Sequence, residues 1–152
     1  MVRAGRVIVV YQGNDDQKLR YISGYVDAEG RIVGEEHALT EGNHCRGANP
    51  AVAFAPNGRV VVACQGIDEQ QLWYVSGMVD QSGRIMGDEF SLTEDASRRG
   101  FHPTIAFNEG GTIVILYEGT DESKLWYVCG GIDQSGHVVG VERLLDMSMV
   151  AG

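Results

Sequence analysis

The segments GNDDQKLRYISG at 13–24, GIDEQQLWYVSG at 66–77 and GTDESKLWYVCG at 119–130 are near copies, each 53 residues from the next. The correspondence runs on through Asp27, Asp80 and Asp133, Gly34, Gly87 and Gly140, and Glu36, Glu89 and Glu142. The chain is therefore three copies of one unit, about 6–49, 50–102 and 103–152, forming a single repeat domain over 1–152. A unit of this size is one supersecondary element. It cannot bury its apolar face alone, so neighbouring copies must stack.

The middle copy shows what the unit is. NPAVAF and RVVVAC are apolar runs separated by the turn residues Pro56, Asn57 and Gly58. LWYVSGMVD is a third run with aromatics, and RIMGDEFSLTE a fourth, more polar one. β-Branched and aromatic runs punctuated by Gly, Asn and Asp predict antiparallel strands, here named a, b, c and d. No stretch holds helical periodicity over a competing length. Strands a and b are apolar almost throughout, as strands covered on both faces are. Strand d carries Glu89 and Ser91, as an exposed edge should. An all-β meander with an apolar inner half and a polar outer edge is the pattern of a propeller blade.

The string P-x-[VI]-A-F-x-x-x-G-x-[VI]-V-[VI]-x-x-x-G-x-D-x-x-x-L-W-Y resembles blades of bacterial and fungal propeller lectins. It is more distantly similar to sialidase-like propeller repeats. The resemblance covers essentially the whole chain and implies a β-propeller with carbohydrate-binding function. It departs from sialidases in lacking their S-x-D-x-G-x-T-W box, so no sialidase residue is carried over. The rival fold is the β-trefoil, which also has three four-stranded repeats. The long repeat and the doubly apolar strands favour the propeller.

Three blades are too few for a ring, since propellers have about four to eight. Two chains would supply six, so a homodimer closing a six-bladed ring is expected. Register places residues 1–5 opposite 54–58, so the first copy lacks most of strand a. About eleven strands follow, not twelve.

A formal charge of −9 argues against general binding to nucleic acid or anionic membranes, which rests on excess Lys and Arg. No apolar segment is long enough to span a bilayer, and no secretory signal is visible. Cys45, Cys64 and Cys129 do not recur with the repeat, which predicts free thiols and a reducing compartment. The expected location is the cytoplasm, or outside it after release without a recognisable signal peptide.

Alternating strand directions put the d-to-a and b-to-c connections on one rim. That rim gathers Gln12, Asp15 and Arg46 from the first copy. It takes Gln65, Asp68, Arg99 and His102 from the second, and Glu118 and Asp121 from the third. Amides, carboxylates and guanidinium groups bind hydroxyl-rich ligands through paired hydrogen bonds. Plainer roles stand beside these. Asp15, Asp68 and Asp121 suit capping of the b-to-c turn, and Trp73 and Trp126 suit packing between blades. Asp27, Asp80 and Asp133 suit hairpin turns rather than calcium, because the oxygen count per turn is small. Arg46 and Arg99 are the least explained by packing.

The four histidines do not recur at equivalent positions, and no cysteine pair has zinc spacing. No metal or cofactor is expected. Neither a nucleophile elbow nor a phosphate-binding glycine loop occurs, and threefold repetition suits avidity better than one asymmetric active centre. The sequence thus points to a non-catalytic, multivalent lectin with glycan partners. A protein-interaction scaffold and a glycan-processing enzyme or subunit are the alternatives.

Overall fold

The computed structural model describes residues 5–13, 18–39, 47–66, 72–92, 100–119 and 124–145. These form eleven strands and no helix: β1 (Arg6–Gln12), β2 (Leu19–Val26), β3 (Ile32–Ala38), β4 (Gly47–Phe54), β5 (Val60–Gly66), β6 (Leu72–Val79), β7 (Ile85–Ser91), β8 (Gly100–Phe107), β9 (Ile113–Gly119), β10 (Leu125–Ile132) and β11 (Val138–Leu144). They build three antiparallel meanders, β1-β2-β3, β4-β5-β6-β7 and β8-β9-β10-β11. Each sheet draws on one repeat, except that β4 and β8 begin in the last three residues of the preceding copy. The trefoil, whose barrel mixes strands of all repeats, is not the arrangement of the described residues. Among the described residues the first sheet has no strand a, in line with the register of the repeats.

Turn chemistry sets the register. At the c-to-d turn of the second sheet, Asp80 Oδ1 accepts from the N–H of Ser82 and Arg84 at 2.9 Å and from Ser82 Oγ at 2.7 Å. Asp133 repeats this with Ser135 and His137. Asp27 does so with the N–H groups of Glu29 and Arg31. The turn closes on Gly83 at φ 88°, a left-handed conformation that disfavours a side chain. These aspartates are hairpin formers, as their D-x-x-G spacing predicts. Beyond the turn, Gly77 on β6 pairs with Gly87 on β7. A Cβ on Gly77 would lie 2.7 Å from Gly87 Cα and run into the Met86 carbonyl, so the strands sit closer than any side chain allows.

The sheets stack face to face, and a parity rule describes the stacking. Strand b of each sheet has one face of Val7 and Val9, Val60 and Val62, or Ile113 and Ile115. Its opposite face carries Ile8, Val61 or Val114. Ile8 and Tyr21 of the first sheet form a core with Val60 and Val62 of the second. Val61, Ala63, Leu72 and Tyr74 of the second do so with Ile113, Ile115 and Tyr117 of the third. The second face of one sheet thus always meets the first face of the next. The middle sheet is covered on both sides, and Val60, Val61, Val62, Ala63 and Cys64 are fully buried. Its continuous apolar run follows from that double cover. Trp73 packs on a cluster containing Leu19 of the first sheet, and Trp126 on the core between the second and third sheets. Both are therefore packing residues between sheets.

Cys64 is disulfide-bonded, and Cys129 is free and exposed. The expectation of free thiols is corrected for Cys64. Cysteine does not recur at this position in the other copies, so the repeat could not reveal the bridge.

Candidate functional site

The end of the sheets where β1, β5 and β9 finish is the predicted polar rim. Of the residues expected there, Gln12, Gln65, His102 and Glu118 are described. Asp15, Arg46, Asp68, Arg99 and Asp121 lie outside the described residues. Gln12 is half-buried at the last position of β1. Gln65 and Glu118 occupy the matching position on β5 and β9.

The structure brings Gln65 and Glu118 each against one partner. Asn49 Nδ2 donates to Gln65 Oε1 at 3.4 Å. His102 Nδ1 lies 3.6 Å from Glu118 Oε2. Asn49 and His102 are themselves equivalent, one repeat apart. Both sit where strand a shifts register on strand b, between Ala48 and Ala51 and between Phe101 and Thr104. Both adopt positive φ, 57° and 53°, and they are the only non-glycine residues among those described that do so. Left-handed backbone at a side-chain-bearing residue stores strain. The register shift re-aims the side chain, as bulges do beside binding sites. Here it turns a polar group of strand a onto the end of strand b. Asn tolerates this conformation better than most residues, and His is also enriched in it.

A tyrosine–glutamate pair flanks the rim on the first and third sheets. Tyr117 Oη donates to Glu142, and Tyr11 is hydrogen-bonded to Glu36 at the same positions of the first sheet. Partial burial, then that bond, raises the Tyr11 pKa. Arg20 Nη1 stands 3.6 Å from Glu36, so the substitution of tryptophan by arginine in the first copy comes with an ion pair.

The opposite end of the sheets holds clefts that sequence reasoning missed. A cavity of about 560 Å³ between the first two sheets is lined by Gly5, Arg6, Gly24, Tyr25, Val79, Asp80 and Gln81. A smaller one of about 200 Å³ lies between the second and third, with Arg59, Asn57 and Glu109 on its wall. Arg6 and Arg59 are equivalent. Arg6 Nη1 donates to Ser23 Oγ at 2.9 Å, and Arg59 Nη1 to Ser76 Oγ at 3.3 Å. These clefts are assembled from two sheets, so no single repeat displays them. The recurrence of an arginine before strand b in the first two copies was the available signal.

No cluster of His, Cys, Asp or Glu that could hold a metal ion occurs among the described residues. No family model and no curated protein matches the chain.

Proposed function

We propose that this chain is a multivalent carbohydrate-binding protein, a lectin without catalysis of its own, whose three sheets are propeller blades in a six-bladed ring of two chains. The observation that carries the reading is the twice-repeated rim pair, Asn49 with Gln65 and His102 with Glu118, held on left-handed backbone. Strain at a side-chain-bearing residue, kept in two copies, is the kind that concentrates at binding sites. Amide, imidazole and carboxylate groups at a rim match the donors and acceptors of a saccharide. Copies of one weak site suit avidity.

The cleft around Arg6, Tyr25, Asp80 and Gln81 favours a second placement of the sugar, on the other rim. Its volume falls within the usual range for small-ligand sites, about 300–1,000 Å³. The half-exposed Tyr25 ring supplies an apolar surface beside the charged groups. The partners are glycans or glycoconjugates. The Cys64 disulfide favours a location outside the cytoplasm over one within it.

A glycan array probed with the intact protein tests the reading. Binding lost in Gln65→Ala with His102→Ala assigns the first rim. Binding lost in Tyr25→Ala with Gln81→Ala assigns the second. Absence of binding at high protein concentration removes the lectin and leaves the interaction scaffold. Turnover of a glycoside would instead mark the enzyme.

A further inference from the structure

The two junctions inside the chain are copies of each other. Ile85 N–H donates to Tyr21 Oη at 2.8 Å, and Val138 N–H to Tyr74 Oη at 2.8 Å. The turn glycine of the later sheet seats on the earlier one. A Cβ on Gly83 would meet Ser23 Oγ at 3.0 Å, and one on Gly136 would meet Ser76 Oγ at 3.2 Å. Leu19 and Leu72, on the same face as those tyrosines and serines, are fully buried.

Each half of this junction is also present once without its complement. On the third sheet, Leu125 is 39% exposed, Val114 is 36% exposed, and Cys129 is exposed. The Tyr127 hydroxyl, equivalent to those of Tyr21 and Tyr74, has no hydrogen-bond partner among the described residues. On the first sheet, Val9 is 36% exposed, where its equivalents Val62 and Ile115 are fully buried. Ile32 is 49% exposed, where Ile85 and Val138 are half-buried, and a Cβ on Gly30 would meet nothing within 4 Å. The free faces are one of each kind, and they are the kinds that pair twice within the chain.

We propose that a second copy of this chain covers both. The first sheet of each copy seats on the third sheet of the other, with Ile32 N–H donating to Tyr127 Oη and Gly30 lying on Cys129 across the chains. This deepens the propeller reading above and does not depend on the sugar. The occupant is specified by self-complementarity. The free third-sheet face matches in residue type the faces that the second and third sheets already cover, so a first sheet fits it as the second and third fit theirs. Arg20 stands where Trp73 packs on Leu19, and its aliphatic stem can cover Leu125 while its head stays paired with Glu36. The interface is heterologous, and two copies close it into six sheets, within the about four to eight of closed propellers.

The test is a disulfide placed across each kind of junction. The Cβ positions of Gly83 and Ser23 are 3.3 Å apart, close to the roughly 3.5–4.5 Å of a disulfide. Ser23→Cys with Gly83→Cys should therefore link within one chain. Gly30→Cys should link to the native Cys129 of a second copy. It should run as a covalent dimer of about 33 kDa, twice the 16.5 kDa chain, on a non-reducing gel. A monomeric Gly30→Cys beside a linked Ser23→Cys/Gly83→Cys overturns the closure alone, as does a ladder of longer polymers. Failure of the internal link in a Ser23→Cys/Gly83→Cys variant that keeps its β-sheet circular dichroism, despite the strain of a side chain at Gly83, overturns the propeller stacking itself. Should Gly30→Cys lose its β-sheet circular dichroism, light scattering at low micromolar concentration decides. A dimeric wild type that becomes monomeric in Leu125→Glu supports the proposal, and a monomeric wild type overturns it.

Discussion

Tyr21 Oη accepts a hydrogen bond from the backbone N–H of Ile85, 64 residues away, and Tyr74 does the same for Val138. The tyrosine leaves the c strand of one sheet and satisfies the first amide of the d strand in the next. Burial raises both tyrosine pKa values, so the hydroxyls stay protonated across the neutral range. Each bond ties two sheets that share no strand pairing.

Tyr74→Phe leaves the Val138 amide without its partner in a partly buried junction. An unmade bond of this kind costs about 1–3 kcal/mol. Urea unfolding should show that loss for Tyr74→Phe and Tyr21→Phe. Tyr25→Phe, on an exposed ring, should unfold like the wild type. Equal stabilities for all would remove the tyrosine lock from the junction.

Neighbouring glycines on β10 should respond oppositely to a methyl group. A Cβ on Gly130 would run into the Val139 carbonyl and sit 2.8 Å from Gly140 Cα. A Cβ on Gly131 meets nothing within 4 Å. Gly130→Ala should cost at least the about 1–3 kcal/mol of an overpacked core. Gly131→Ala should stay within about 0.5 kcal/mol of wild type. Thermal melts of the two variants side by side check this.

The turn aspartates make stability depend on acid. For Asp80 and Asp133 the largest cause is the serine hydroxyl two residues on. For Asp27 it is the backbone N–H of Arg31. In each case the carboxyl is held below its ordinary 3.8. A depressed folded-state pKa means stability present above about 3.8 and lost as pH falls through the folded value. Asp80→Ala should therefore be less stable than wild type at pH 7, with the gap narrowing as pH drops below 3.8. A gap that stays constant from neutral pH to well below 3.8 would detach the turn from its charge.

Much of this was legible in the repeat. Strand b of the middle copy, RVVVAC, is apolar at every position after Arg59 because both its faces are covered. The absence of strand a from the first sheet among the described residues, and the D-x-x-G hairpins, follow from register and turn chemistry alone. Asn49 and His102 were not legible as strained residues. Positive φ is announced by glycine, and neither position carries one. They are also different residues, so the repeat hides their equivalence. The Arg6–Tyr25–Asp80 cleft was invisible for another reason: its walls come from two copies, and their spacing depends on how sheets stack. The Cys64 bridge has no periodic signature, because cysteine does not recur at that position.

The rim pairs yield a prediction in which stability and function move apart. His102 and Asn49 hold left-handed backbone, which costs a side-chain-bearing residue about 1–2 kcal/mol relative to glycine. Glycine adopts that conformation freely but is more flexible when unfolded, which offsets part of the gain. The contact with Glu118, at 3.6 Å, is largely exposed and contributes about 0–1 kcal/mol. His102→Gly and Asn49→Gly should therefore melt at or slightly above the wild-type temperature. If the strain serves ligand binding, both should lose glycan affinity, by an order of magnitude or more where one good hydrogen bond of about 1.4 kcal/mol is removed. Isothermal titration with a glycan identified on the array, run beside a thermal melt, reads both quantities. Variants that melt several degrees lower while binding normally would make Asn49 and His102 structural and move the sugar site to the opposite rim.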